Sequence, residues 1–151
     1  MPQTPILYVF MDKYLDLYSL GISLPHRVGT LFILVQALDI GWSGTPYYID
    51  VQHFDSREEF VSGRTIKHEY VFQGLSICLD GGNALEDLRK RLSETRDLHT
   101  RNPYDGIKRK FHCLLDLLER EGVQEVNEIR DMINHLPPRL YYQNEASSAI
   151  D

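Results

Sequence analysis

Apolar residues return every three or four positions near the start of the chain, at Leu7, Phe10, Met11, Tyr14, Leu17 and Tyr18, up to Gly21. That spacing predicts a helix with one face in a core, with Thr4 as N-cap and Pro5 as its first residue. Asp12, Lys13 and Asp16 fall off the stripe, as on a half-exposed helix. Arg27 to Ile40 fits two templates. Val28, Leu31, Phe32, Val35 and Leu38 suit a helix, whereas Thr30, Phe32, Ile33 and Val35 are strand-favouring types in a continuous apolar run. We read a buried strand, because two strands follow and a third makes the sheet self-supporting. The alternative is an opening helical hairpin with Ser23 as the second cap.

Tyr47 to Phe54 alternates, with Tyr47, Ile49 and Val51 on one side and Tyr48, Asp50 and Gln52 on the other, the period of a half-exposed strand. A second strand is expected over Thr65 to Leu79, its apolar parity switching at Gly74 through a bulge. The polar stretch Asp55 to Gly63 then closes a long hairpin loop. Beyond Gly81 and Gly82, Asn83 and Glu86 form a capping box for a helix to about Leu98. Asn102, Pro103, Asp105 and Gly106 read as a turn, and a third helix is expected from Ile107 to Glu121. A fourth carries Val126, Ile129, Met132 and Ile133 to His135, ended by Leu136, Pro137 and Pro138. The pattern predicts an α+β fold: an antiparallel sheet of two or three strands with about four helices, mostly after the sheet. One domain spans 1–143, followed by a frayed tail over 144–151.

Length and composition agree with a single domain: 151 residues, 42% hydrophobic and 25% charged, near the average for folded proteins. The longest mainly apolar uncharged stretch, Val28 to Leu38, has eleven residues against the roughly 20 of a membrane-spanning helix. No transmembrane segment is expected. The charged residues Asp12, Lys13 and Asp16 and the lack of a basic leader region argue against a cleaved secretory signal, so an intracellular location, cytoplasmic or nuclear, is expected. Cys78 and Cys113 both lie in apolar runs and read as buried free thiols. Charge is divided along the chain. Glu86 to Lys110 holds eight Lys/Arg and five Asp/Glu, a balance of +3, so the remainder contributes −9 to the net charge of −6. That balance disfavours bulk nucleic-acid or lipid binding and leaves one local basic patch.

Several motifs stop short of a chemistry. Gly81, Gly82 and Asn83 place a turn at a helix start, without the Lys-Ser/Thr pair that completes a phosphate loop. Gly74, Leu75, Ser76, Ile77 and Cys78 approach a nucleophile elbow but put Cys where the second Gly belongs. The expected hairpin is the strongest enzymatic candidate: Asp50 would lie opposite Glu69, with His53 and His68 diagonal on one face as acid and base, or all four as metal ligands. Polar residues on the solvent face of a sheet need no such role, and no metal or cofactor is assigned. Arg89, Arg91, Lys108 and Lys110 head the basic stretch, which could dock a phosphate or an acidic protein patch. Trp42, Tyr141 and Tyr142 are amphipathic aromatics outside regular elements and are candidate interface anchors.

Two stretches resemble known families. Leu114, Leu115, Asp116, Leu117, Leu118, Glu119, Arg120, Glu121 and Gly122, then Val126, Asn127, Glu128 and Ile129, resemble the opening helices of a winged helix-turn-helix domain. That resemblance implies a recognition helix next, where Pro137 and Pro138 stand instead, so we read a packed helical hairpin. Leu24, Pro25, His26, Arg27, Val28 and Gly29 are similar to a short run in rhabdovirus matrix proteins, as is the order helix, sheet, helix. That likeness implies membrane binding and budding. The Lys-rich N-terminal tail is absent from this sequence, and Pro137 to Tyr141 is one residue longer than a P-P-x-Y motif, so the chain is not assigned to that family. What remains is a non-enzymatic interaction or assembly module with a protein partner or a second copy of itself, of the adaptor, inhibitor or viral-assembly kind. The alternatives are a small hydrolase or nuclease built on the 47–79 hairpin and a nucleic-acid or phosphate binder using 89–110.

Overall fold

Two unbroken apolar runs set the architecture. In the computed structural model, which describes residues 5–11, 17–26, 29–39, 46–71, 90–91, 98–120 and 126–136, both are strands with two buried faces. Strand β1 is Ile6–Met11, β2 is Leu17–His26, β3 is Gly29–Asp39 and β4 is Tyr47–Phe54. A five-residue helix α1, Arg57–Val61, leads to β5, Ile66–Val71, and a short β6, Leu98–Thr100, precedes helices α2, Pro103–Arg120, and α3, Val126–His135. The strands form one antiparallel sheet in the order β5-β1-β2-β3-β4-β6.

The expected sheet of two or three strands with about four helices is therefore corrected to six strands with three bounded helices among the described residues, still a mixed α and β fold. The largest error lies at the start. Where a helix is expected from Thr4 to Gly21, the described residues form the antiparallel pair β1–β2, with Leu7 opposite Ile22 and Val9 opposite Leu20. Three- and four-residue spacing was present, but so was Ile6–Met11 as an unbroken apolar run, which is how a strand covered on both faces reads. The likeness in element order to the matrix proteins falls with that helix. Within the stretch Arg27 to Ile40 the described residues, Gly29–Asp39, are a strand, as expected, and it pairs with β2 and β4.

One face of the sheet carries Leu7, Val9, Leu20, Ile22, Leu24, Leu31, Ile33, Val35 and Ile49, all buried under α2 and α3. Those helices supply Ile107, Phe111, Leu114, Leu115 and Leu118 from α2, and Val126, Ile129 and Ile133 from α3. The opposite face holds Tyr8, Phe10, Phe32 and Leu34 around Phe60 of α1. The Phe60 ring lies 5.2 Å from Tyr8, 5.3 Å from Phe10 and 5.0 Å from Phe32, edge-on to the first two. It sits over Gly21, where a Cβ would stand 2.5 Å from Phe60 Cζ, so only glycine lets the ring reach the sheet. Ser56 caps α1 through its hydroxyl, which accepts from the Glu59 amide at 3.2 Å.

Helix α2 begins four residues before the sequence pattern suggests. Asn102 accepts from the Asp105 amide at 3.1 Å as N-cap, Pro103 takes the first helical position, and Gly106 becomes a buried contact with Thr100 and Ile49. The expected bulge at Gly74 and the Asn83 capping box lie outside the described residues, as does the 144–151 tail.

Candidate functional site

The path from β4 to β5 decides what the polar residues can do together. Because β5 pairs with β1, the connection 55–65 crosses the sheet instead of turning back on β4. Strands β4 and β5 are separated by β1, β2 and β3, which at about 4.8 Å per step places them about 19 Å apart. The hairpin expected over 47–79 does not form.

Asp50, His53, His68 and Glu69 are consequently dispersed. Directly paired residues share a face, so His53 opposite Ile33 and His68 opposite Val9 lie on the α2 side, at the two sides of the sheet. Asp50 opposite Gln36 and Glu69 opposite Tyr8 lie on the α1 side. Each has a local partner. The Asp50 carboxylate accepts from Gln52 Nε2 at 2.8 Å and from Gln36 Nε2 at 3.4 Å, and Glu69 pairs with Arg57 at 3.6 Å. His68 is half-buried with its ring 5.9 Å from Tyr70, while His53 is exposed. Among the described residues, no three His, Cys, Asp or Glu side chains converge.

The basic stretch is likewise divided. Lys90 and Arg91 are helical and exposed. Lys110 is 6% exposed, so it cannot serve the docking surface expected of it. Lys108 is half-buried and donates from Nζ to the Leu136 carbonyl, closing the end of α3 onto α2. Burial lowers the Lys108 pKa from the ordinary lysine value, and the nearby Asp105 carboxylate opposes that shift. Trp42, Arg89, Tyr141 and Tyr142 lie outside the described residues.

Within the helical hairpin read from Phe111 to Leu136, the described helices α2 and α3 pack together and are fastened by polar groups. Arg130 bonds Asp116 at 2.6 Å and Glu119 at 3.4 Å, linking α3 to α2, and Asn127 of its own helix at 2.9 Å. Burial works against the Arg130 charge, and the bonds to Asp116 and Glu119 overcome it, raising its pKa. His112 Nε2 and Asn134 Oδ1, 2.9 Å apart, add a second link. Cys113, expected in the core, faces out because Phe111, Leu114 and Leu115 take the buried positions around it. Cys78 lies outside the described residues.

A surface that the sequence reading passed over is β5. Among the described strands it is the outermost on its side of the sheet, with Lys67, Glu69 and Val71 exposed and Val71 at 51%. An outermost strand presents backbone donors and acceptors to whatever lies beside it. The alternating Lys67, Glu69 and Val71 carried this signal, but it was absorbed into the supposed hairpin. No protein-family model, curated protein or solved structure matches the chain. Among the described residues, no helix is long and apolar enough to cross a membrane.

Proposed function

We propose that this chain is a non-enzymatic protein-interaction or assembly module that acts inside the cell, its contact surface including the outer side of β5. The observation that supports this reading is the position of β5 at the end of the six described strands of the sheet, with Lys67, Glu69 and Val71 exposed along it. A peptide strand can extend a sheet at such a place, the backbone giving affinity and alternate side chains giving selectivity. The exposed free thiol of Cys113 suits a reducing compartment. The hydrolase reading loses its constellation, because its two imidazoles lie on strands separated by three others and its two carboxylates lie on the other face. A nucleic-acid reading loses Lys110 to the core and has Lys108 engaged at Leu136.

Amine-directed cross-linking in an extract of cells expressing the protein, read by mass spectrometry, tests the proposal. Cross-links from Lys67 to a separate chain, of this or another sequence, are expected. If Lys67 links only within its own chain at every concentration tried, β5 is not a contact surface and the proposal is overturned.

A further inference from the structure

We infer that residues 56–64 are a cover that opens and closes as one unit while the sheet beneath stays folded. This inference goes beyond the interaction reading above and does not rest on β5.

The bonding of this segment is turned inward. The Ser56 carbonyl accepts from the Phe60 amide at 3.1 Å and its hydroxyl from the Glu59 amide at 3.2 Å, while the Glu59 carbonyl accepts from Ser62 at 3.3 Å and the Val61 carbonyl from Arg64 at 3.0 Å. The Arg64 guanidinium donates to the carbonyls of Phe60 and Ser62, at 2.9 and 3.2 Å. Gly63, at φ 71°, makes the turn between Ser62 and Arg64. Every one of these bonds begins and ends within 56–64, so none of them ties the segment to the sheet. Main-chain pairing with β1 resumes at Thr65, whose carbonyl accepts from the Met11 amide at 3.3 Å.

What holds the cover down is one side chain. Phe60 is the buried residue of α1, set among Tyr8, Phe10, Phe32 and Leu34, whereas Arg57, Glu58, Glu59, Ser62 and Gly63 are exposed and Val61 is partly buried. The other ties run along the surface: Arg57 to Glu69 at 3.6 Å, and the Arg64 guanidinium over the Phe54 ring at 5.8 Å. Both side chains of that ion pair are well exposed, and such pairs contribute little. A helix of five residues does not hold itself together away from a core, so once Phe60 leaves, its amides meet water together. Strands β2 and β3 are the opposite case, each paired on both sides and buried on both faces, and they separate only when the whole core comes apart. The segment therefore lies at the low end of the range of opening free energies within one structure. Its opening withdraws Phe60 from Tyr8, Phe10, Phe32 and Leu34 and bares the part of the sheet that α1 covers.

Residue-resolved amide exchange by nuclear magnetic resonance, on the full chain and two variants, provides the test. In the unmodified protein the amides of Glu59, Phe60, Ser62 and Arg64 are expected to share one degree of protection, about a hundredfold or more below that of the amides paired between β2 and β3. Ile129→Val thins the core under α3, on the other face of the sheet, and shifts global unfolding by roughly two- to tenfold. It is expected to speed exchange between β2 and β3 by that factor and to leave the amides of the segment unchanged, because the open form keeps the Ile129 contacts. Phe60→Ala removes what closes the cover and is expected to speed the segment's amides by about a hundredfold or more, up to the rate of an unfolded chain. Far-ultraviolet circular dichroism checks that each variant is folded. Segment amides as protected as those of β2 and β3, and speeding up with them in Ile129→Val, mean that 56–64 opens only when the chain unfolds, and the inference is overturned. Four unrelated degrees of protection overturn the single unit, and no protection in the unmodified protein overturns the closed cover. Segment amides unchanged in Phe60→Ala overturn the assignment of Phe60 as the side chain that holds it. None of these outcomes touches the contact surface proposed at β5.

Discussion

Phe60 and Gly21 form a pair whose energetics can be worked from the structure and measured as a cycle. Phe60 is fully buried, and its ring is held by Tyr8, Phe10 and Phe32 at 5.0 to 5.3 Å, with Phe54 at 6.3 Å. Truncating a buried Phe to Ala costs about 3–5 kcal/mol, and the aromatic contacts place Phe60→Ala toward the upper part of that range. For a chain of this size the corresponding loss in melting temperature is roughly 6–20 °C. Gly21→Ala acts through the same atoms from the other side. The added methyl would meet Phe60 Cζ at 2.5 Å and Cε1 at 2.7 Å, and a ring clamped by three neighbours cannot swing away. Overpacking of this kind costs about 1–3 kcal/mol. In the Phe60→Ala background the ring is gone and the Ile33 carbonyl oxygen, 3.2 Å from the new methyl, is the close contact that remains, so there Gly21→Ala costs less than about 1 kcal/mol, the alanine's smaller loss of conformational freedom offsetting part of the crowding. Urea denaturation of the four proteins should therefore show strong coupling, with Gly21→Ala far less destabilising once the ring is gone. Additivity within about 0.5 kcal/mol would mean that the two residues do not share this contact.

Gly106→Ala should destabilise by about 1–2 kcal/mol, although alanine is the better helix former by about 1 kcal/mol, because its methyl would stand 2.6 Å from Thr100 Cγ2. Thr100→Ser removes that methyl and keeps the hydroxyl that accepts from the Asn102 amide at 3.1 Å, so it should recover much of the loss in chemical denaturation; no recovery refutes the assignment. Lys108 supplies a pH dependence with a definite sign. Its folded pKa lies below the ordinary 10.5, so with rising pH the folded chain releases this proton before the unfolded chain does. The unfolded state then binds more protons, and stability relative to Lys108→Met rises through the alkaline range up to about that value. A stability difference that is flat or falling over that window refutes the burial of the ammonium group.

How much of this was legible in the sequence depended on whether an element has one covered face or two. Strand β4 has one well-covered face, so Tyr47, Ile49 and Val51 alternate with polar residues and the strand is plain in the pattern. Helices α2 and α3 have one apolar stripe each, and their positions were also clear, within a few residues at the N-terminus of α2. Strand β1 is covered by α2 and α3 on one side and by Phe60 on the other, which removes the alternation and leaves a run that three- and four-residue spacing also fits. The candidate site failed for a different reason. Asp55 to Gly63 reads as a hairpin loop because its polarity is visible in sequence, whereas the burial of Phe60 against Gly21, which carries the segment across the sheet, is not. A single misplaced connection moved His68 and Glu69 to the far edge and dissolved the proposed acid–base set.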